Sequence, residues 1–302
     1  MLQRLAYLTS GRFLQMMAEK PAESNGNIFR CATFNILAPC YNRLRGWWSA
    51  WESSKPNLYM RRSQSIIDML KEQPHLDAIC LQEFWFNHDV EDLFESKLGD
   101  KYRILKLKRQ GYKMDGLAIL LHRSASLLGV QSFNFDDYGN RVALLLHIAL
   151  PDQDKQVILA TTHISYCHNI LDEYVRMSQV KKVVSGIDKF LKQKELHSIP
   201  VILTGDFNSP ETNPVYQFVK GSGFASSYKV VNGREAGVTH KDHRGRELSV
   251  DYIFYRNSGS CAISPKSSIM LPQQYNDQVW PEEFTISDHR MIVTEFDMGK
   301  SE

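Results

Sequence analysis

Asp206 and Asn208 stand two positions apart at the end of the apolar run VILTGDFNSP, which extends from Val201 to Pro210. In an extended strand this spacing points both side chains to the same side, and it points Phe207 to the other side, into the packing. A carboxylate and an amide held together on a rigid strand end would suit a metal or phosphate site. The alternative is a simple turn, because Gly, Asp, Asn, Ser and Pro are common turn residues.

Similar polar side chains occur at the ends of other apolar runs. They are Asn35 in CATFNILA, Glu83 in AICLQEF, His163 in ILATTHI, Asp251 in VDYIFY, and Asp288 with His289 in TISDHRMIV. Each has an ordinary structural explanation when taken singly, such as a strand-end cap, a solvated charge, a core histidine or a turn. Rigid scaffolds place functional groups at strand ends, so this repeated pattern predicts one shared site.

The elements that must position these residues are mainly strands. Predicted strands cover Phe29–Leu37, Ala78–Phe84, Tyr102–Leu107, Gly116–His122, Leu127–Phe135, Val142–Leu150, Gln156–His163, Pro200–Phe207, Val250–Tyr255 and Arg290–Phe296. Helical periodicity appears at Leu58–Glu72, Val90–Leu98, Leu171–Lys194 and Pro214–Lys220. Many strands with few intervening helices favour two packed sheets over a doubly wound parallel sheet. We therefore predict a β-sandwich flanked by helices.

Length and composition are those of an ordinary globular protein. The chain has 302 residues, is 43% hydrophobic and carries a formal net charge of +2. It can therefore bury a full core as one large domain or as two modest ones. Because the net charge is nearly zero, binding to nucleic acid would depend on local charges such as Lys106, Lys108, Arg109 and Lys113.

The cysteines indicate a reducing compartment. They are Cys31, Cys40, Cys80, Cys167 and Cys261, an odd number without a Cys-x-x-Cys pair. This pattern argues against a disulfide framework or a zinc ribbon, so we expect an intracellular, cytoplasmic location. Separately, we expect a monomer. No apolar stretch approaches the length of a transmembrane segment.

The first residues differ from the rest. Met1–Lys20 has no acidic residue before Glu19 and is typical of an amphipathic organelle-targeting segment, with a poorly ordered leader or a docked helix as the alternative. Pro21–Asn27 is typical of a linker. We therefore predict a leader and linker over residues 1–27 and one domain, which carries all the strand-end polar groups, over residues 28–302.

The motifs TFNILAP, ICLQEFW, ATTHI, LTGDFNSP, SVDYIFY and ISDHRMI resemble, in the same order, those of the endonuclease/exonuclease/phosphatase superfamily. This superfamily includes deoxyribonuclease I, nocturnin and poly(A) deadenylases, neutral sphingomyelinases and inositol polyphosphate 5-phosphatases. The resemblance covers about Phe29 to Phe296. It implies a four-layered α/β sandwich, with two packed and mostly antiparallel sheets flanked by helices, and a hydrolase that uses Mg²⁺ or Mn²⁺ at one end of the sandwich.

The resemblance also implies roles for individual residues. A phosphodiester repels hydroxide, so a hard cation with oxygen ligands is needed to neutralise its charge. Matching motif positions make Glu83 the direct metal ligand and let Asn35 orient the metal and the phosphate. Asn208 would donate its amide to a phosphoryl oxygen.

The acid and base groups follow from the same match. Either Asp206 or His289 would take the proton of the attacking water, and the sequence leaves both open. Asp288 would hold His289 in one tautomer. His163 would protonate the leaving oxygen, and Asp251 would orient His163.

For the substrate, TFNILAP, DGLAILLHR and TGDFNSPETNPVYQFV are most similar to the nocturnin and deadenylase branch. They predict an RNA 3′-exonuclease or a nucleotide phosphatase, with RNA or a nucleotide as its partner. The segment ISYCHNILDEY departs from the tryptophan, aspartate and proline usual in that branch. The alternative is a sphingomyelinase-like or other small-molecule phosphodiesterase acting on a lipid phosphodiester, because LQEFWFNHDVEDLFESKLGDKY resembles that branch. The intact polar set argues against a non-catalytic scaffold.

Peripheral segments offer further substrate contacts. Trp47 and Trp48 in RGWWSAWE would either stack on bases, enter a lipid interface or pack on the sandwich. The run THKDHRGRE would either clamp a phosphate or form a solvated loop. Its candidate residues are His240, His243 and Arg244, and Arg141 before the Val142 strand is a further candidate.

Overall fold

The structure is a computed structural model of the chain. It describes residues 27–44, 50–151, 155–166, 171–242, 244–259, 262–275, 280 and 286–299. The predicted leader, residues 1–26, lies outside the described residues. Among the described residues, no helix combines the length and apolarity needed to cross a bilayer.

One six-stranded mixed sheet forms half of the sandwich. Its strands are β1 (Ile28–Asn35), β2 (Ala78–Trp85), β3 (Tyr102–Lys108), β4 (Asp115–His122), β13 (Ser264–Leu271) and β14 (Met291–Asp297). Their order across the sheet is β13-β14-β1-β2-β4-β3. β1 and β2 are parallel, and the other neighbours are antiparallel.

A second six-stranded sheet packs against the first. Its strands are β5 (Ser126–Asn134), β6 (Val142–Ala149), β7 (Gln156–His163), β8 (Val201–Asp206), β9 (Ala225–Ser226) and β12 (Asp251–Arg256). Their order is β5-β6-β7-β8-β12-β9, and only β7 and β8 are parallel among its described neighbours. A separate short hairpin is formed by β10 (His240–Lys241) and β11 (Glu247–Leu248).

The longer helices cover the outer faces of the two sheets. They are α1 (Pro56–Glu72), α2 (His88–Leu98), α3 (Leu171–Gln193) and α4 (Pro214–Gly221). The short helix α5 (Ser227–Asn232) instead lies against β12 and β13, which belong to different sheets, and a 3-10 turn spans Glu52–Ser54. One core lies between the two sheets, one between α1, α2 and the first sheet, and one between α3, α4 and the second sheet. The predicted four-layered α/β sandwich is therefore confirmed.

Strand directions gather the polar strand ends at one end of the sandwich. β1 and β2 finish there, as do β7 and β8, because each pair is parallel. Their antiparallel neighbours β4, β6, β12 and β14 begin there. Residues that are distant along the chain thus meet where strands end and begin.

Gly205 explains how Asp206 reaches this edge. A Cβ on Gly205 would lie 2.0 Å from the backbone oxygen of Thr162, and its φ is +141°. Only glycine lets β8 pass so close to β7 at this point. The following Phe207 is buried, and its ring lies edge-on to Phe254 with centroids 5.2 Å apart, as the strand alternation predicts.

The sequence prediction missed β9, β13 and α5, and also the two-residue strands β10 and β11, whose run THKDHRGRE it described as a phosphate clamp or a solvated loop. The segment SPKSSIML of β13 mixes polar residues with Pro265 and pairs only with β14, at the edge of its sheet. Edge strands bury less surface, so their apolar alternation is weak. β9 has two residues and α5 has six, too few for a periodic signal.

Candidate active site

Asn35 links carboxylates from both sheets. Its Nδ2 donates to Asp206 Oδ2 at 3.0 Å and lies 3.5 Å from Glu83 Oε1. Its Oδ1 accepts from the backbone N–H of Leu37 at 3.0 Å, which fixes the orientation of the amide. The end of β1 is therefore the meeting point of the two sheets at this site.

Glu83 occupies a strained position inside β2. Its φ is +56°, in the left-handed region, and the pairing of β2 with β4 shifts register between Gln82 and Phe84. Such a bulge re-aims a side chain and commonly accompanies functional sites. Burial, then the negative charges of Asp115 and Asp288, raise the pKa of Glu83 to about 7. The backbone N–H of Ala38 donates to Oε2 at 2.9 Å and holds the carboxyl group in place.

His289 pairs with Asp251. The Nδ1 atom of His289 lies 2.9 Å from Asp251 Oδ2, and its Nε2 lies 3.8 Å from Asp206 Oδ2. Burial alone would lower the pKa of His289, but Asp251 and then Asp206 and Asp288 outweigh it and raise the pKa to about 10. The prediction that Asp251 orients His163 is therefore wrong, because the register of β8 and β12 places Asp251 opposite Asp206 and beside His289.

Asp288 faces His240 more closely than His289. Its Oδ2 lies 3.4 Å from His240 Nε2, whereas its Oδ1 lies 3.9 Å from His289 Nε2. The ring of His240 stacks on that of His289, with centroids 4.0 Å apart and an interplanar angle of 6°. Asp251 rather than Asp288 thus fixes the tautomer of His289, which corrects the prediction. His240, a candidate for a phosphate clamp, is buried under His289.

His163 contacts both residues of the opening motif. Its Nε2 lies 3.4 Å from Asp206 Oδ2 and 3.2 Å from Asn208 Nδ2, so the predicted common side is confirmed. The amide of Asn208 also donates to Ile164 O at 2.9 Å, so it points to the protein and not outward to a phosphoryl oxygen, unlike the prediction. Burial, then the charges of Arg141 and Arg109, lower the pKa of His163 well below its usual value. The lowered pKa favours the neutral form of the imidazole, and the role of His163 as a proton donor stays a prediction.

Several oxygen atoms here have the chemistry of a hard-cation site. The Oδ1 atoms of Asp251 and Asp288 are buried and have no hydrogen-bond partner among the described residues. Two groups of carboxylates and imidazoles, Asp206 with Asp251 and His289, and His240 with Asp288 and His289, each bring ligand atoms within 4.8 Å of one another. Together with the carboxyl group of Glu83, these acceptors fit a divalent cation that prefers oxygen.

A network that the sequence analysis missed borders the site. Arg109 Nη1 donates to both oxygens of Asp115 at 3.0 Å, and the hydroxyl of Tyr41 donates to Asp115 Oδ1 at 2.7 Å. Asp115 is the first residue of the quoted motif DGLAILLHR. Its position directly before the predicted strand could have identified it as a further strand-end acid. Ser287 was also missed; its hydroxyl donates to Asn35 O at 2.7 Å and accepts from His289 N at 3.1 Å, which joins the start of β14 to the end of β1.

The other candidates differ in position. Arg141 lines a hollow together with His163, at the same end of the sandwich. Arg244 is exposed, and the hydrogen bond found for it runs from its backbone N–H to Asp242. Trp47, Trp48 and His243 lie outside the described residues.

The fold and the set of strand-end groups define a protein of the deoxyribonuclease I-like α/β sandwich class. The sequence profile of the Endonuclease/Exonuclease/phosphatase family matches residues 32–289. The chain therefore belongs to this family of phosphoester hydrolases.

Known proteins place the chain near one branch of the family. It is 33% identical over 259 residues to an uncharacterized calcium-binding protein of Arabidopsis thaliana, covering 80% of this chain and 53% of the plant protein. It is 29% identical over 241 residues to Protein angel of Drosophila melanogaster, covering 71% of this chain and 64% of the fly protein. The chain thus spans about half to two thirds of these relatives.

Solved structures of similar fold include two from the same branch. The structure of ANGEL2, a 2′,3′-cyclic phosphatase, in complex with adenosine-2′,3′-vanadate aligns with a TM-score of 0.69 at 22% identity, covering 89% of this chain and 95% of that one. The human Nocturnin catalytic domain with bound sulfate aligns with a TM-score of 0.66 at 21% identity, covering 90% and 94%. At sequence identities of 21% and 22%, these two structures support a shared fold and nothing more specific.

Proposed function

We propose that the chain is a divalent-metal-dependent hydrolase of phosphate esters at RNA 3′ ends or in nucleotides. The observation that carries the proposal is the contact of Asn35 with carboxylates from both sheets, beside the Asp251 and His289 pair. These groups derive from five separate strands or strand starts, and they form one polar cluster at the end of the two sheets. A structural turn or cap would not require this convergence.

Glu83 and Asn35 are the proposed metal-holding residues, and Mg²⁺ or Mn²⁺ is the proposed ion. A carboxylate oxygen of Glu83 suits either ion, and Asn35 would position the carboxylates of Glu83 and Asp206 around it through Nδ2. When bound, the ion neutralises phosphate charge and polarises the phosphorus. The raised pKa of Glu83 fits a carboxylate that is buried next to other acids and gains from a cation.

Asp206 is the proposed general base. The surrounding carboxylates keep a proton on His289, so that imidazolium is suited to donate a hydrogen bond to a phosphoryl oxygen. Burial and the charge of Asp251 raise the pKa of Asp206, which strengthens it as a proton acceptor for water. Asn35 Nδ2 and the backbone N–H of Asn208 fix the two oxygens of Asp206, at 3.0 and 2.8 Å.

The substrate class rests on similarity to the angel and nocturnin proteins. The sequence resembles Protein angel of the fly, and one structure of similar fold is described as a 2′,3′-cyclic phosphatase. Both a 3′-terminal phosphodiester and a 2′,3′-cyclic phosphate place the ester at the ribose of an RNA end. We therefore infer an RNA 3′ end or a related nucleotide, and a lipid phosphodiester is the alternative.

A substrate panel tests the proposal. Purified protein with Mg²⁺, with Mn²⁺ or with chelator is offered poly(A), mixed-sequence RNA, RNA with a 2′,3′-cyclic phosphate end, mononucleotides and sphingomyelin. Metal-dependent release of product from an RNA end supports the proposal, and Asp206→Asn must abolish that release. Cleavage of sphingomyelin alone would show that the substrate is a lipid phosphodiester and not an RNA end or a nucleotide. If neither metal supported hydrolysis of any ester in the panel, the proposed hydrolase function would be refuted.

A further inference from the structure

Arg141 carries a guanidinium group that makes no side-chain hydrogen bond with the described residues, at the end of the sandwich where the polar cluster lies. It precedes β6, and its backbone N–H donates to Asp137 Oδ1. Its Nε and Nη1 atoms are buried and make no hydrogen bond with the described part of the chain. The side chain as a whole is only half-buried, so its outer part can be reached from solvent.

Nearby acids do not neutralise Arg141. Asp115 is a nearby acid that could pair with Arg141. Its carboxylate oxygens, however, already accept hydrogen bonds of 2.7 to 3.0 Å from Tyr41 and Arg109. No carboxylate oxygen of the described residues lies within 4.0 Å of the Arg141 guanidinium. A buried cation without a hydrogen-bonded partner is costly, so its retention calls for an explanation.

Other unpaired donors surround the same hollow. Arg109, Arg141 and His163 all line it, and Arg109 Nε and His163 Nδ1 are also buried without a partner among the described residues. The hollow is too narrow to enclose even one water molecule. A ligand would therefore have to bind at its mouth, where the outer part of the Arg141 side chain is reached from solvent.

His163 joins the hollow to the acid cluster. His163 turns Nε2 to Asp206 and Asn208, and the same ring lines the hollow beside Arg141. An anion at Arg141 would therefore lie across the imidazole from the proposed water-activating carboxylate. It would be a neighbour of the phosphate that is cleaved.

From this arrangement the geometry points to a second phosphoryl subsite, in which Arg141 binds a phosphate group that the substrate carries next to the ester being hydrolysed. The inference rests on the proposed function and narrows its substrate class to esters that bear two phosphoryl groups. Guanidinium donors suit phosphate oxygens, and an anion here also satisfies Arg141 without using Asp115.

A comparison of short substrates tests the subsite. The dinucleoside monophosphate ApA has one phosphate, and pApA and ApAp carry a second one at either end. We expect kcat/KM for one of these two to exceed that for ApA by about tenfold to a hundredfold, the range for charge-assisted hydrogen bonds. Arg141→Gln should reduce the ratio of kcat/KM for the preferred bisphosphorylated substrate to that for ApA to about one.

Arg61→Gln is the matched control, because Arg61 is exposed on α1 and the charge change is the same. It should keep the full preference for the second phosphate. Equal turnover of ApA, pApA and ApAp by the parent, or an equal loss on all of them in Arg141→Gln, would overturn the inference. Absence of turnover with every substrate would instead refute the proposed function.

A binding measurement keeps the inference testable without turnover. Adenosine 3′,5′-bisphosphate and adenosine are titrated into the parent, Arg141→Gln and Arg61→Gln by calorimetry. We expect the bisphosphate to bind the parent and the control at least about tenfold more tightly than it binds Arg141→Gln. Equal affinity in all three proteins would contradict the subsite. Arg141→Gln should also melt at the same or a higher temperature than the parent, because it removes an unpaired buried charge.

Discussion

The Nδ1 atom of His289 lies 2.9 Å from Asp251 Oδ2, although 38 positions separate the two residues. Asp251 opens β12 in one sheet, and His289 lies two residues before the start of β14 in the other. The contact therefore exists only when the two sheets are packed. Catalytic geometry and sandwich closure are consequently linked.

Replacing Asp251 with Asn should lower kcat by on the order of 10² to 10⁴, because His289 loses the charge that favours its imidazolium. Asp288→Asn should lower kcat by a smaller factor, because Asp288 lies closer to His240 than to His289. Steady-state kinetics on the best RNA substrate checks both. Equal losses, or a larger loss for Asp288→Asn, would show that Asp288 is the partner that matters.

Replacing Glu83 with Gln should remove metal-dependent turnover by about 10³ or more, because a neutral amide holds a divalent ion poorly. The fold should remain, since the bond from Ala38 N can persist and a buried charge is removed. Turnover against metal concentration and a thermal melt measure the two effects. The control is Glu72→Gln at an exposed position of α1. Parent-level turnover in Glu83→Gln would exclude Glu83 as a metal ligand.

Gly205→Ala should lower the free energy of unfolding by about 3 kcal/mol or more, because its Cβ would meet Thr162 O at 2.0 Å and neither backbone can easily yield. Gly237→Ala is the control, since nothing lies within 4 Å of a Cβ there. Urea unfolding of both variants gives the comparison. Similar stability of the two would mean that β7 and β8 are further apart than described.

Asp242 makes stability depend on acid pH. Burial tends to raise its pKa, but the backbone and side-chain donors of Arg246 and the backbone N–H of Arg244 outweigh burial and lower the pKa to about 2. Because the pKa in the folded state lies below the unfolded value of 3.8, this stabilisation is complete above about pH 4 and is lost as pH falls towards 2.

In Asp242→Asn the loss of stability between pH 4 and pH 2 should therefore be smaller than in the parent. Urea unfolding at several pH values in this window measures it. Asp100→Asn, at an exposed position after α2, serves as the control and should follow the parent. Parallel curves for the parent and Asp242→Asn would refute the assigned role of the Asp242 carboxylate.

Local patterns predicted most of the fold. Alternating and continuous apolar runs predicted the longer strands, and helical periodicity predicted α1 to α4, because burial imposes these patterns on the sequence. Ordered motifs predicted the family and the members of the polar cluster. The short elements β9 and α5 and the edge strand β13 lacked such a signal because they are short or little buried.

The sequence by itself determined the chemistry of the site: its carboxylates, amides and imidazoles, and their places at strand ends. Only the tertiary structure decided the partners, such as Asp251 with His289, Asp288 with His240, and Arg109 with Asp115. Partner choice depends on strand register and on the packing of one sheet against the other. These relations join residues far apart along the chain, and no local pattern records them.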